Sequence, residues 1–113
     1  ISAYADHALM QGLENKEIYS FIHEALYFLT SKNCEDISKN LEMLMKCGLV
    51  NYKTMELLHQ ANTKYGVQTP QSVLTKPEEG KCIMISGHDL KMLEELLKQL
   101  KDTDINVYTH GEM

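Results

Sequence analysis

The sequence predicts an α/β chain: a segment of antiparallel helical bundle followed by the opening β-α-β of a parallel sheet. Three observations carry this. Apolar residues recur at helical spacing from Ile1 to Ala61. The stretch from Val67 to Gly80 holds both prolines, Pro70 and Pro77, and breaks that rhythm. Beyond it, two short apolar runs, Cys82-Ile83-Met84-Ile85 and Ile105-Asn106-Val107-Tyr108, flank one amphipathic helix pattern. The expected organisation is therefore a helical segment over 1–66, a linker over 67–80 and an incomplete β-α-β over 81–113.

Each element has its own justification. Ile1, Tyr4 and Ala8 fall at i, i+3 and i+7, a short helix ending near Gly12. Asn15 is a suitable N-cap for the next helix. There Ile18, Phe21, Ile22, Ala25, Leu26 and Leu29 form a wide apolar stripe, broken at Ser31 to Asn33. A third helix carries Ile37, Leu41, Leu44 and Met45 on one face, with Gly48 as its post-helix residue. Asn51 then caps a fourth, with Met55, Leu58 and Ala61 inward and Gly66 at its end. Short connections of this kind favour antiparallel neighbours in a bundle. The Cys82–Ile85 run is too short for a helix and suits a strand buried on both faces. Leu90, Leu93, Leu96, Leu97 and Leu100 form the crossover helix, with acids early and lysines late, as the helix dipole prefers. A crossover of that length is what a parallel pair requires.

Composition narrows the function classes. The net charge is -5 and the lysines are scattered among acids, which argues against a nucleic-acid-binding face. No apolar run approaches a membrane span, and Asp6 interrupts the N-terminal apolar stretch, so neither a membrane segment nor a signal peptide is expected. Cys34, Cys47 and Cys82 are scattered and odd in number, which points to a reducing, cytoplasmic setting and to thiols packed as small hydrophobes. The chain opens at Ile1 inside a helix pattern and closes on Met113 without a turn, which reads as an excised piece of a larger protein.

The chemistry gathers at the strand ends. His88 follows the first strand and Glu112 follows the second. Parallel strands place such ends side by side on the edge where ligands of α/β proteins sit. Imidazole and carboxylate together suit iron or an acid/base pair. Against this stands a plainer reading, in which His88 caps the helix beginning at Asp89 and Glu112 is a solvated acid. His110 is a lesser candidate, as a neighbouring proton donor. His7, His23 and His59 show no metal-binding spacing and read as packing or surface residues. Gly87 before a helix start invites a phosphate-loop reading, but neither G-x-G-x-x-G nor G-K-[ST] is present. Met43 and Met45 read as core filler.

Ser86-Gly87-His88-Asp89-Leu90 and Ile105-Asn106-Val107-Tyr108-Thr109-His110-Gly111-Glu112-Met113 resemble the hybrid-cluster protein family, also called prismane proteins or hydroxylamine reductases. Ile1-Ser2-Ala3-Tyr4-Ala5-Asp6-His7-Ala8 and the stretch from Lys46-Cys47-Gly48-Leu49-Val50-Asn51 to Met55-Glu56-Leu57-Leu58 are similar to its N-terminal helical domain. The resemblance implies that His88 and Glu112 ligate a hybrid iron-sulfur-oxygen cluster in the parent protein. It also implies a separate iron-sulfur cubane bound outside these residues, and further ligands further along the parent chain. Cys34, Cys47 and Cys82 match no ligand motif, and Lys101-Asp102-Thr103-Asp104 lacks the glycines often seen before the second strand.

The resemblance makes the β-α-β the opening of a Rossmann-like domain and the parent an oxidoreductase. It would reduce hydroxylamine or a related small nitrogen oxide with electrons from a donor. The 113 residues alone are expected to hold no cluster and to be inactive, with the β-α-β either self-associated through open strand edges or a mobile tail on a better-ordered helical segment. The alternative from another class is a non-catalytic helical interaction module with a truncated β-α-β scaffold, which would purify colourless and iron-free. A carbon monoxide dehydrogenase relative matches the S-G-H-D-L wording less closely.

Overall fold

The computed structural model describes residues 1–113. It contains four α-helices and a two-stranded parallel sheet, divided between two compact units, Ile1–Gly66 and Val67–Met113.

The first unit is helical: α1 (Ser2–Met10), α2 (Lys16–Thr30) and α3 (Ile37–Asn62), with short 3-10 turns at Lys32–Glu35 and Thr63–Tyr65. Asn15 caps α2, its side chain accepting the Glu17 N–H at 2.9 Å. Asp36 caps α3, accepting from the Ser38 and Lys39 N–H groups at 2.8 and 3.3 Å. Such caps satisfy donors that the first helical turn leaves unpaired.

Two expectations fail in α3. Gly48 does not end a helix and Asn51 does not start one, because α3 runs unbroken through both. Ending a helix at glycine needs a left-handed residue, and Gly48 does not have a positive φ. The cause is the stripe Met43, Cys47, Val50, Thr54, Leu57 and Ala61, all buried or half-buried at helical spacing across the glycine. Continuous packing along that stripe outweighs the propensity cost of one glycine, about 1 kcal/mol.

The second failure is the choice of face. Ile37, Leu41, Leu44, Met45 and Met55 are exposed, and they lie on the side of α3 opposite the buried stripe. The core lies where Ala5, Ile18, Phe21 and Val50 meet, flanked by Ile1, Tyr19, Ile22, Ala25, Met43, Cys47 and Leu57. The α2 stripe is buried at Ile18 and Phe21 but exposed at Leu26 and Leu29. Lys53 pairs with Glu17 and Lys46 with Glu24, so residue numbers rise along α2 as they fall along α3. The two helices therefore run in opposite directions. Thr54, fully buried, donates its hydroxyl to the Val50 carbonyl at 2.8 Å. That bond removes the penalty of an unpaired buried hydroxyl.

In the second unit, residues 67–80 form neither helix nor strand. β1 (Lys81–Ile85), α4 (Leu90–Leu100) and β2 (Ile105–Thr109) follow. β1 and β2 pair in parallel, in register from Lys81 opposite Ile105 to Ile85 opposite Thr109. The Glu78 N–H donates to the Tyr108 hydroxyl at 2.8 Å and so ties the preceding loop to β2. β1 is covered on one face, not two: Ile83 and Ile85 are half-buried while Met84 is 84% exposed. On α4, Leu90, Leu93, Leu96 and Leu100 are half-buried and Leu97 is exposed. Lys91 and Lys98 bridge Glu94 and Glu95 on its surface. These bonds hold the Glu95 carboxyl below its usual range and the lysine ammonium groups above theirs.

Candidate metal site at the strand ends

Parallel pairing brings the ends of β1 and β2 to one sheet edge, because Ile85 stands opposite Thr109. His88 and Glu112 each lie three residues past their strand. Gly87 turns the chain after β1 with φ of 125°, a backbone conformation that disfavours any residue with a Cβ. Asp89 then caps α4, its carboxylate accepting the Lys91 and Met92 N–H groups at 2.9 and 3.0 Å. The plainer reading of His88 as that cap is thereby corrected. Asp89 does the capping, and the His88 ring is directed elsewhere.

It is directed at Glu112. His88 Nε2 lies 3.1 Å from Glu112 Oε2, with the side chains 66% and 80% exposed. A solvent-exposed pair of this kind adds little to stability. Its geometry therefore matters more for what it can hold than for the fold.

The third member is His110. Its ring lies 5.1 Å from that of His88, tilted by 50°. Ligand atoms from His88, His110 and Glu112 all fall within 4.8 Å of one another. His110 Nδ1 accepts the Glu112 N–H at 3.2 Å. Nε2 lies 2.7 Å from the Gly87 carbonyl oxygen. An imidazole nitrogen that accepts carries no proton, so this network assigns the neutral tautomer with Nε2–H donating to Gly87. The Gly87 N–H also points at that same Nε2 at 3.3 Å, a bond the nitrogen accepts only in the other tautomer; the closer 2.7 Å approach to a carbonyl oxygen, which cannot donate, puts the proton on Nε2. In the sequence alone His110 is a lesser candidate beside His88 and Glu112. Its position two residues before Glu112 was the available signal.

The donor set suits iron, which takes imidazole nitrogen and carboxylate oxygen. The 3.1 Å separation also suits donors on one metal ion, since bonds of about 2.1 Å at a right angle put two donors ~3.0 Å apart. Thiolates for a cluster are not supplied beside them within this unit. Its one cysteine, Cys82, sits at the start of β1, at the far end of the strand from His88, and is exposed. Cys34 and Cys47 belong to the helical unit, both half-buried and unpaired. Of the remaining histidines, His7 is half-buried on α1, and His23 and His59 are exposed on α2 and α3. No helix is long and apolar enough to cross a membrane.

Known proteins are similar to this chain along its whole length. Residues 1–113 match the family described as the Prismane/CO dehydrogenase family. A hydroxylamine reductase from Syntrophobacter fumaroxidans is 53% identical over 114 residues, covering 100% of this chain and 21% of that protein. Proteins of the same name from Solidesulfovibrio magneticus and Methanocella arvoryzae are 47% and 44% identical, again over 100% of this chain and 21% of theirs. The chain thus spans about a fifth of the length of the curated relatives it matches. A match over every residue, through both strand-end motifs, leads to one conclusion: the chain belongs to the Prismane/CO dehydrogenase family.

Proposed function

We propose that the whole protein is a hydroxylamine reductase, an iron-sulfur oxidoreductase, and that His88 and Glu112 are two ligands of its hybrid iron-sulfur-oxygen cluster. The observation that carries this reading is the 3.1 Å approach of His88 Nε2 to Glu112 Oε2 at the shared strand edge. The relatives' printed name supplies the reaction. Hydroxylamine takes up two electrons and two protons and leaves as ammonia and water. An electron donor supplies the electrons, and the bound cluster would pass them on while polarising the substrate as a Lewis acid. A separate iron-sulfur cubane would be held outside these residues, and a reducing cytoplasm is the fitting setting.

This chain's residues contribute orientation. Gly87 and the Asp89 cap fix where His88 emerges, and the end of β2 fixes Glu112. Nitrogen and oxygen ligands leave an iron open to substrate more readily than four thiolates do. In the same reading, the β-α-β opens a Rossmann-like parallel sheet completed by later strands, and the helices belong to an antiparallel bundle domain.

The test uses the whole protein. His88→Ala and Glu112→Gln are each expected to abolish turnover while leaving the separate cubane intact. Turnover within a few-fold of wild type in either variant would count decisively against the ligand assignment.

A further inference from the structure

We infer that His110 is a positioning residue that locks the His88 turn to the Glu112 turn, and not a third metal ligand. The inference rests on the ligand roles proposed above for His88 and Glu112. It comes from where the His110 ring nitrogens are committed. Nε2–H donates to the carbonyl of Gly87, the residue immediately before His88, at 2.7 Å. Nδ1 accepts the backbone N–H of Glu112 itself at 3.2 Å. One planar ring therefore bridges the two turns that carry the ligands.

Apart from the His88–Glu112 contact, the Nε2 bond to Gly87 is what joins the two turns, while the Nδ1 bond braces the Glu112 turn on itself. His88 and Glu112 are exposed, and exposed side chains lose rotamer freedom when held in one place. His110 is half-buried, so its ring is a firmer anchor than either ligand. Holding the flanking backbone restricts where both ligands can point. Outer partners that orient metal ligands commonly act in this way.

The same bonds argue against direct ligation, because they tie both His110 ring nitrogens to backbone groups, whereas the bond of His88 Nε2 is to Glu112, its fellow ligand, and is given up when a metal enters between the two. A metal takes the lone pair of an unprotonated nitrogen. Nε2 carries the proton given to Gly87, and the Nδ1 lone pair already receives the Glu112 N–H. Ligation through Nε2 would break the bond that joins the turns, and ligation through Nδ1 the bond that braces the Glu112 turn.

The whole protein, purified anaerobically, provides the test. His110→Phe keeps the ring volume and removes both bonds. It is expected to retain wild-type iron content, to shift the Mössbauer and EPR signature of the cluster, and to lower kcat about 10–100-fold. His110→Gln, whose amide N–H takes the place of Nε2–H, is expected to move both the signature and kcat back towards wild type. If the Phe variant does not accumulate, His110→Asn replaces it, being too short to reach Gly87. A wild-type signature and turnover in the variant lacking the Gly87 bond would overturn the inference. So would loss of iron in both variants to the extent seen in His88→Ala, which would make His110 a ligand. Unchanged iron signatures in His88→Ala and Glu112→Gln would instead remove the site reading itself, and the inference with it.

Discussion

At the scale of single residues, Gly87 governs the direction of His88. Its φ of 125° carries no side-chain clash in space, since nothing lies within 4 Å of an added Cβ, so the strain would be in the backbone alone. Gly87→Ala therefore costs on the order of 1–3 kcal/mol if the turn keeps its shape. If the turn relaxes instead, His88 leaves Glu112. If His88 is the ligand proposed above, the expected outcome in the whole protein is normal expression with turnover reduced at least about tenfold, the size of effect that losing a ligand's support commonly has. Steady-state kinetics check it, and wild-type kcat would show that the turn is not what aims His88.

That His88 and Glu112 meet at one sheet edge was legible in the sequence, because parallel pairing leaves little choice about which residues share an edge. The role of His110 was not legible. It depends on which ring nitrogen meets which backbone group, and spacing along a chain carries no information about that.

At the scale of elements, α3 shows where sequence patterning misleads. It carries two apolar faces, and the one richer in Leu, Ile and Met is the exposed one. The buried face is Met43, Cys47, Val50, Thr54, Leu57 and Ala61. Several of these are small. Reading large apolar residues as core therefore picked the wrong side, and reading Gly48 as a terminator split one helix into two. The N-cap at Asn15 and both strands were legible, because a capping side chain and a short apolar run act locally; the Asp89 cap was not, since the sequence pattern starts the helix at Asp89 with His88 before it.

Gly48 gives a direct check. It is exposed, lies within α3, and has nothing within 4 Å of a built Cβ. Gly48→Ala in the 113-residue chain is expected to raise stability by about 1 kcal/mol, from better helix propensity and a less flexible unfolded chain. Urea denaturation followed by helical circular dichroism measures this. A loss of stability would mean that the helix does not run through this position in solution.

At the scale of the whole molecule, the two units differ in how well they bury apolar surface. Every buried residue belongs to Ile1–Gly66, and none belongs to Val67–Met113. Two strands and one helix fall short of the three strands that an independently stable sheet usually needs. In dilute monomer, amide exchange is expected to be slow across 17–29 in α2 and fast across 82–85 in β1. At higher concentration the open strand edges are expected to pair between chains. Strong protection of both strands in a strictly monomeric sample would contradict this.

Two side chains without neighbouring thiolates do not hold a multi-iron centre. Anaerobic reconstitution of the 113 residues with iron and sulfide is accordingly expected to leave no stoichiometric cluster by absorption and EPR. A stoichiometric cluster would show that the ligand set is larger than His88 and Glu112.

The ligand role of His88 is most directly tested by electron spin-echo measurement of imidazole nitrogen coupling to the cluster in the whole protein. The account predicts a coupling that vanishes in His88→Ala and persists in His110→Gln. A coupling that survives unchanged in His88→Ala would contradict it.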